Sequence, residues 1–162
     1  MALLVRLQEL LDNSGVAYTH TVHPLAYTAR EVAAAEHIPA QEVAKVVVFL
    51  AENGYRMVVL PANKVVDFQE LRLMLGFSHA RLATEKELAE LFPDCELGAM
   101  PPFGELYDMP VHLDSSMLAD EKIAFNGGTH RDVVHMRLAD YRQLVQPELA
   151  TLARETMARG GW

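Results

Sequence analysis

Apolar and polar residues alternate along this chain with two periods, and each change of period marks an element. Over residues 3–12 the apolar side chains recur at helical spacing and run into Asn13-Ser14-Gly15, which predicts a helix with a glycine stop. Residues 16–22 read as a short strand with Tyr18, His20 and Val22 on one side. Thr28-Ala29-Arg30-Glu31 has capping-box spacing and opens a helix from Ala29 to His37, stopped near Pro39. Val43 to Leu50 is apolar on both faces, which predicts a strand covered on both sides, and Asn53-Gly54 turns it into a partner strand over 55–60. Asp67 and Thr84 cap two further helices, ending at Leu75 and Leu91. Strands follow over 109–113, 121–125 and 133–136, the last two joined by Asn126-Gly127-Gly128. A helix over 138–145 and a helical tail over 147–162 complete the pattern, with Arg159 to Trp162 frayed.

Helices and hairpins mix here without a regular strand–helix alternation. The pattern therefore predicts a mixed α/β fold with substantial antiparallel pairing, one domain over residues 1–162, and not a doubly wound parallel sheet. The length of 162 residues and the apolar fraction of 51% suit one hydrophobic core and exclude a disordered chain. No apolar run approaches the roughly 20 residues that span a bilayer, and the first residues lack a basic leader, so no membrane partner is expected and a cytoplasmic location is the default. The single cysteine, Cys95, excludes an intrachain disulfide and reads as an ordinary small residue near a loop.

Charge narrows the partners. The formal net charge is −8, and the four Lys and ten Arg are scattered, which argues against a protein that coats DNA or RNA. A protein that grips only the end of a nucleic acid remains compatible with that balance.

Three places could carry chemistry. Lys45 opens the most apolar strand, where an ammonium either snorkels to water or serves as a pocket cation for a phosphate or carbonyl. The loop Gly98 to Gly104 holds two glycines and two prolines in seven residues, and is either a surface connection or a rigid wall that offers backbone amides. Asn126 to His130 is either a plain hairpin turn or a turn that presents a histidine. The histidine pairs His20/His23 and His130/His135 lack Cys or Glu partners at zinc-motif spacing, so no metal is expected. There is no Gly-x-Ser-x-Gly elbow either.

Taken in order, a Thr-x-x-Glu helix, Ala44-Lys45 before a buried strand, a Gly-x-x-x-Pro loop (Gly98 to Pro102) and a late Gly-Gly turn resemble the YbaK/prolyl-tRNA synthetase editing-domain family, the free-standing trans-editing deacylases. The resemblance runs over about residues 1–146. It implies a mixed, largely antiparallel, barrel-like sheet with flanking helices, and hydrolysis of the ester that joins a wrong amino acid to tRNA, commonly tRNA for proline. No metal or organic cofactor is implied. Lys45 matches the family's catalytic lysine. The implied substrate-binding set is Tyr18, Tyr27, Val46, Gly98, Pro102, Gly104, Asn126, Gly127, Gly128 and His130. Backbone amides near Gly98 to Gly104 and at Gly127 would hold the oxyanion. Val46 stands where relatives often carry a polar residue, which makes it and Tyr27 the expected pocket wall. The implied partners are the acceptor end of aminoacyl-tRNA and a synthetase, with the chain a monomer or a homodimer. A non-catalytic tRNA- or synthetase-binding module, and a hydrolase of small aminoacyl esters, are the competing readings.

Overall fold

The computed structural model describes residues 3–155, so the frayed end expected at Arg159 to Trp162 lies outside the described residues. The chain opens with helix α1 (Val5–Ser14), closed by Gly15 in the left-handed region at φ 76°. Strand β1 (Tyr18–Val22) leads to α2 (Ala29–Glu36), whose capping box is complete: Glu31 N donates to Thr28 Oγ1, and Thr28 N donates to the Glu31 carboxylate, each at 3.1 Å. A cap of this kind contributes about 1 kcal/mol and fixes where the helix starts. Strands β2 (Ala44–Ala51) and β3 (Gly54–Pro61) form the expected hairpin. After them come β4 (Lys64–Val66), α3 (Phe68–Leu75), β5 (Ala80–Leu82), α4 (Glu85–Leu91), β6 (Val111–Asp114), β7 (Lys122–Asn126), β8 (Asp132–Arg137) and α5 (Leu138–Val145).

The barrel-like sheet expected from the resemblance is not closed. The strands form a five-stranded sheet ordered β5-β2-β3-β6, a three-stranded sheet β1-β8-β7, and one small pair, with a final edge strand on the large sheet described below. Pairing is largely antiparallel, but β3 and β6 run parallel. β2 pairs with β3 along its whole length and with β5 over its last three residues, and among the described residues a single parallel bridge, from Val43 just before the strand to Ala124, ties it to β7. The two larger sheets therefore meet at one point and diverge.

The tail is a second correction. The helix expected from Pro147 onwards is replaced, as far as the chain is described, by strand β9 (Glu148–Ala150) beside β6 and strand β10 (Ala153–Glu155) beside β4. The buried Asp114 carboxylate accounts for this. It accepts the amides of Leu152 at 2.8 Å and Ala153 at 2.9 Å, a stabilisation that an extended backbone can reach and a helix cannot.

Strand alternation sorts the core into three clusters. Ala44 and Val48 of β2 join Met57, Val59, Phe103, Phe125 and Tyr141 in the main one. Phe49 and Ala51 face α3 with Val58, Leu60 and Leu71. Val43, Ala124 and Val133 pack beneath Val32 and Ala33 of α2. The Gly98–Gly104 loop is anchored in the main cluster: the fully buried Tyr141 hydroxyl donates to the Pro102 carbonyl at 2.6 Å. Tyr141→Phe would leave that carbonyl without a partner, and should cost about 1–3 kcal/mol of unfolding free energy by chemical denaturation. A variant as stable as the wild type would mean that the loop does not depend on this bond.

Candidate functional site

The divergence of the sheets shapes the site. Val43 and Ala124 face α2 across the single parallel bridge. Two residues further along each strand, the alternation brings Lys45 and Asn126 to the same side. Asn126 Oδ1 is buried and accepts no hydrogen bond among the described residues. Lys45 is half-buried, opposite Leu60, and no carboxylate pairs with it among the described residues. Burial, and after it the positive charge of Arg30, lower its pKa from the ordinary lysine value. Arg30 sits in the first turn of α2, where the helix dipole disfavours a cation. Lys45 is thus held near a second cation, an arrangement that an anionic group would stabilise.

The loop and the turn form one unit. Glu96 N donates to the Gly128 carbonyl at 2.8 Å, and Gly128 N to the Ala99 carbonyl at 3.0 Å. The Glu96 carboxylate accepts His130 N at 2.7 Å, and His130 Nε2 meets the Leu97 carbonyl at 2.7 Å. A carbonyl only accepts, so Nε2 carries the hydrogen and Nδ1 of the neutral ring is left as an acceptor. Nδ1 is buried with no partner among the described residues. On its other side the imidazole carries the Tyr27 ring, with centroids 5.0 Å apart. The chain from Tyr27 through Thr28 leads into α2 and Arg30, so the ring–histidine contact and the cation pair flank the same helix start.

The residues expected at the site divide into two groups. Tyr27, Gly98 and His130 lie together, Asn126 ends β7 at the same turn, and Lys45 lies near Arg30 in the first turn of α2. Gly98, at φ +85°, is exposed, and a Cβ there would come to 3.6 Å from His130 Cε1. The others are drawn elsewhere. Pro102 and Gly104 are buried, and a Cβ on Gly104 would fall 2.2 Å from the Met109 carbonyl oxygen, so that glycine serves packing. Gly127 and Gly128 give room to Leu3 and Leu4. Val46 packs on the main core, on the face of β2 opposite Lys45. Tyr18 donates to Asp12 at 2.6 Å and pairs with Met136, at the end of β8 away from the turn.

Two expectations about backbone and thiol chemistry meet geometry directly. The Gly127 amide, expected to hold an oxyanion, donates to the Asp132 carbonyl at 2.9 Å and is therefore engaged. The Gly98 amide donates to no backbone carbonyl among the described residues. Burial pushes the Cys95 thiol up to about 11, which keeps it protonated at neutral pH and unfit as a nucleophile. Sequence reasoning missed Arg30 and Glu96. A cation inside the first turn of a capped helix was the available signal for Arg30. For Glu96 there was none, because its partners lie more than thirty residues away.

Comparison with known proteins agrees with this geometry. Residues 23–144 match the family model described as the aminoacyl-tRNA editing domain. The multifunctional Ser/Thr-tRNA deacylase ProXp-y of Escherichia coli is 32% identical over 109 residues, 63% of this chain and 61% of that protein, so the chain spans less than two thirds of that relative. A proline–tRNA ligase of Thermosipho africanus is 27% identical over 81 residues, half of this chain but 14% of the ligase. The crystal structure of a candidate trans-editing enzyme for prolyl tRNA synthetase superposes with a TM-score of 0.80 at 25% identity, over 92% of this chain and 95% of that one. The family model covers well over half of the sequence and the fold agrees across nearly all of it: the chain belongs to the aminoacyl-tRNA editing domain family.

Proposed function

We propose that this protein is an aminoacyl-tRNA deacylase that hydrolyses the ester of mischarged tRNA, with tRNA for proline as the first substrate to test. The observation that carries the reading is Lys45, a half-buried cation with Arg30 near it and no carboxylate paired with it among the described residues. A charge held in that way is costly to the fold unless a ligand supplies the missing anion.

In the proposed reaction water adds to the ester carbonyl, the C–O bond to the terminal ribose breaks, and the products are the free amino acid and a ribose hydroxyl. The neighbouring ribose hydroxyl positions the water. Lys45 holds the terminal phosphate or the carbonyl oxygen, and the Gly98 amide is the backbone donor for the developing oxyanion. His130 Nδ1 and Asn126 Oδ1 are the acceptors available to donors on the substrate. The wall assigned to Val46 passes to residues on the α2 side of β2, since Val46 packs on the opposite face. Such a wall separates amino acids that differ by one methylene by about 1–3 kcal/mol, enough for an editor that excludes the larger, correct amino acid. The net charge of −8 favours a small aminoacyl ester as the second reading.

Two predictions follow from Lys45. In a deacylation panel of seryl-, threonyl-, alanyl-, cysteinyl- and prolyl-tRNA, wild type should discharge a subset, and Lys45→Met should lose about 100-fold or more in rate on that subset. Equal rates on every ester would refute a selective pocket, undiminished turnover in Lys45→Met would sink the mechanism, and salt-insensitive activity would favour the small ester.

The second concerns stability. The folded pKa of Lys45 is depressed, so between it and the unfolded value near 10.4 the unfolded chain binds the extra proton and wild-type stability rises with pH. Lys45→Met, which keeps the stem and removes the charge, should therefore match or exceed wild type in Tm at pH 7. That advantage should shrink as the pH approaches 10. A variant markedly less stable at pH 7 would mean that the ammonium has a stabilising partner in the free protein.

A further inference from the structure

Tyr27 is 62% exposed, an unusual state for an aromatic ring so firmly held. Its ring contacts the His130 imidazole, the two planes tilted by 55°, and that histidine is itself fixed, through its backbone by Glu96 and through its ring by the Leu97 carbonyl. The preceding residue, Ala26, donates its amide to the His130 carbonyl at 3.2 Å, which anchors the backbone below the ring. Tyr27 therefore offers an aromatic surface to solvent from a ring already in contact with a fixed side chain, which lowers the side-chain entropy lost on binding. Leu97, 46% exposed, gives its carbonyl to the same histidine, and Leu25, 43% exposed, precedes the Ala26 amide that bonds it. Three exposed apolar residues thus sit on segments tied to one buried histidine, and Arg30, three residues after Tyr27, lies in the first turn of α2 with Lys45 near it.

An amino-acid pocket does not need this ring. A side chain small enough to be edited is enclosed, whereas Tyr27 faces outward. The part of the substrate that stays outside is the terminal nucleoside. An exposed aromatic surface next to cations is the combination by which proteins hold unpaired RNA, the ring taking a base and the cations a phosphate. We propose that Tyr27, framed by Leu25 and Leu97, is the stacking platform for the unpaired 3′-terminal base of the RNA substrate. The proposal rests on the deacylase reading and deepens it: Tyr27 moves from the amino-acid wall to recognition of the nucleoside.

The test uses the full chain and two tRNAs that carry the same amino-acid ester, one intact and one abasic at its 3′-terminal position. The quantity read is the ratio of kcat/KM for intact over abasic substrate. Wild type should show a ratio of about tenfold to a hundredfold, the usual worth of one stacked base. Tyr27→Ala should bring the ratio close to one, and Tyr27→Phe and Tyr27→Trp should keep it. A wild-type ratio near one, a ratio that survives Tyr27→Ala, or a ratio lost in Tyr27→Phe would each overturn the proposal. A binding arm keeps the two readings apart. Fluorescence anisotropy of a labelled short RNA ending in CCA, at low salt, should show tenfold or more weaker binding by Tyr27→Ala, and the same oligonucleotide with an abasic end should not distinguish the variant from wild type. If that pattern holds while no aminoacyl-tRNA is hydrolysed, the platform stands and the deacylase reading fails. If neither RNA is bound preferentially through its terminal base, the platform fails whatever the hydrolysis shows.

Discussion

The parting of the two larger sheets after a single bridge, Val43 to Ala124, is the constraint on which the site depends. Had β2 and β7 continued to pair, Lys45 and Asn126 would be adjacent ladder positions sealed under α2. Instead β2 is taken up by β3 on one side and by β5 further along, while β7 stops at Asn126 and turns. The backbone thus opens where the first charged residue of the strand occurs. The seam that prevents closure into a barrel is also where the strand's one cation, Lys45, stands half-buried.

That opening would collapse or close over unless its lips were held from outside. Glu96, Leu97 and Ala99 on one strand of chain are tied to Gly128 and His130 on the other by backbone and side-chain hydrogen bonds. Beneath them, Pro102 and Gly104 are fixed in the main core. The cation, by contrast, is left without a counter-charge among the described residues. The fold thus places its secure interactions in the supporting loop and turn, and two of the buried polar atoms without a hydrogen bond among the described residues, Asn126 Oδ1 and His130 Nδ1, belong to that same turn, while His23 Nε2 and Asn63 Oδ1 are others. Unsatisfied polar groups in an otherwise well-packed domain are rare, so their grouping is a stronger sign of a ligand site than any one of them.

What could be read from the sequence follows the range of the forces involved. The helix starts at Thr28, Asp67 and Thr84 and the stop at Gly15 depend on residues within one turn, and all four stand where the local pattern put them. The β2–β3 hairpin was readable for the same reason: Glu52-Asn53 make the turn, and Gly54, at φ 121°, pairs with Ala51 to start β3. Barrel closure was not, because it turns on whether two distant strands pair once or several times. The tail was misread because its extended course depends on Asp114, nearly forty residues earlier. Within the site, Lys45 and His130 were readable as chemistry-bearing residues, whereas the wall role of Val46 came from the resemblance alone, and strand alternation puts Val46 on the face opposite Lys45, where it packs on the main core.

The acidic balance of the chain then takes on a specific meaning. A net charge of −8 repels an RNA duplex over most of the surface, so any attraction must be local. Arg30 and Lys45 at the start of α2 supply such a spot, beside the exposed ring of Tyr27. A few contacts to the terminal phosphate, base and ester would give affinity that depends on the end of the substrate and little on the rest. In the proposed reaction that is an advantage. The quantity to be discriminated, the attached amino acid, sits at that end, and binding energy taken from the body of the tRNA would be the same for correct and incorrect esters.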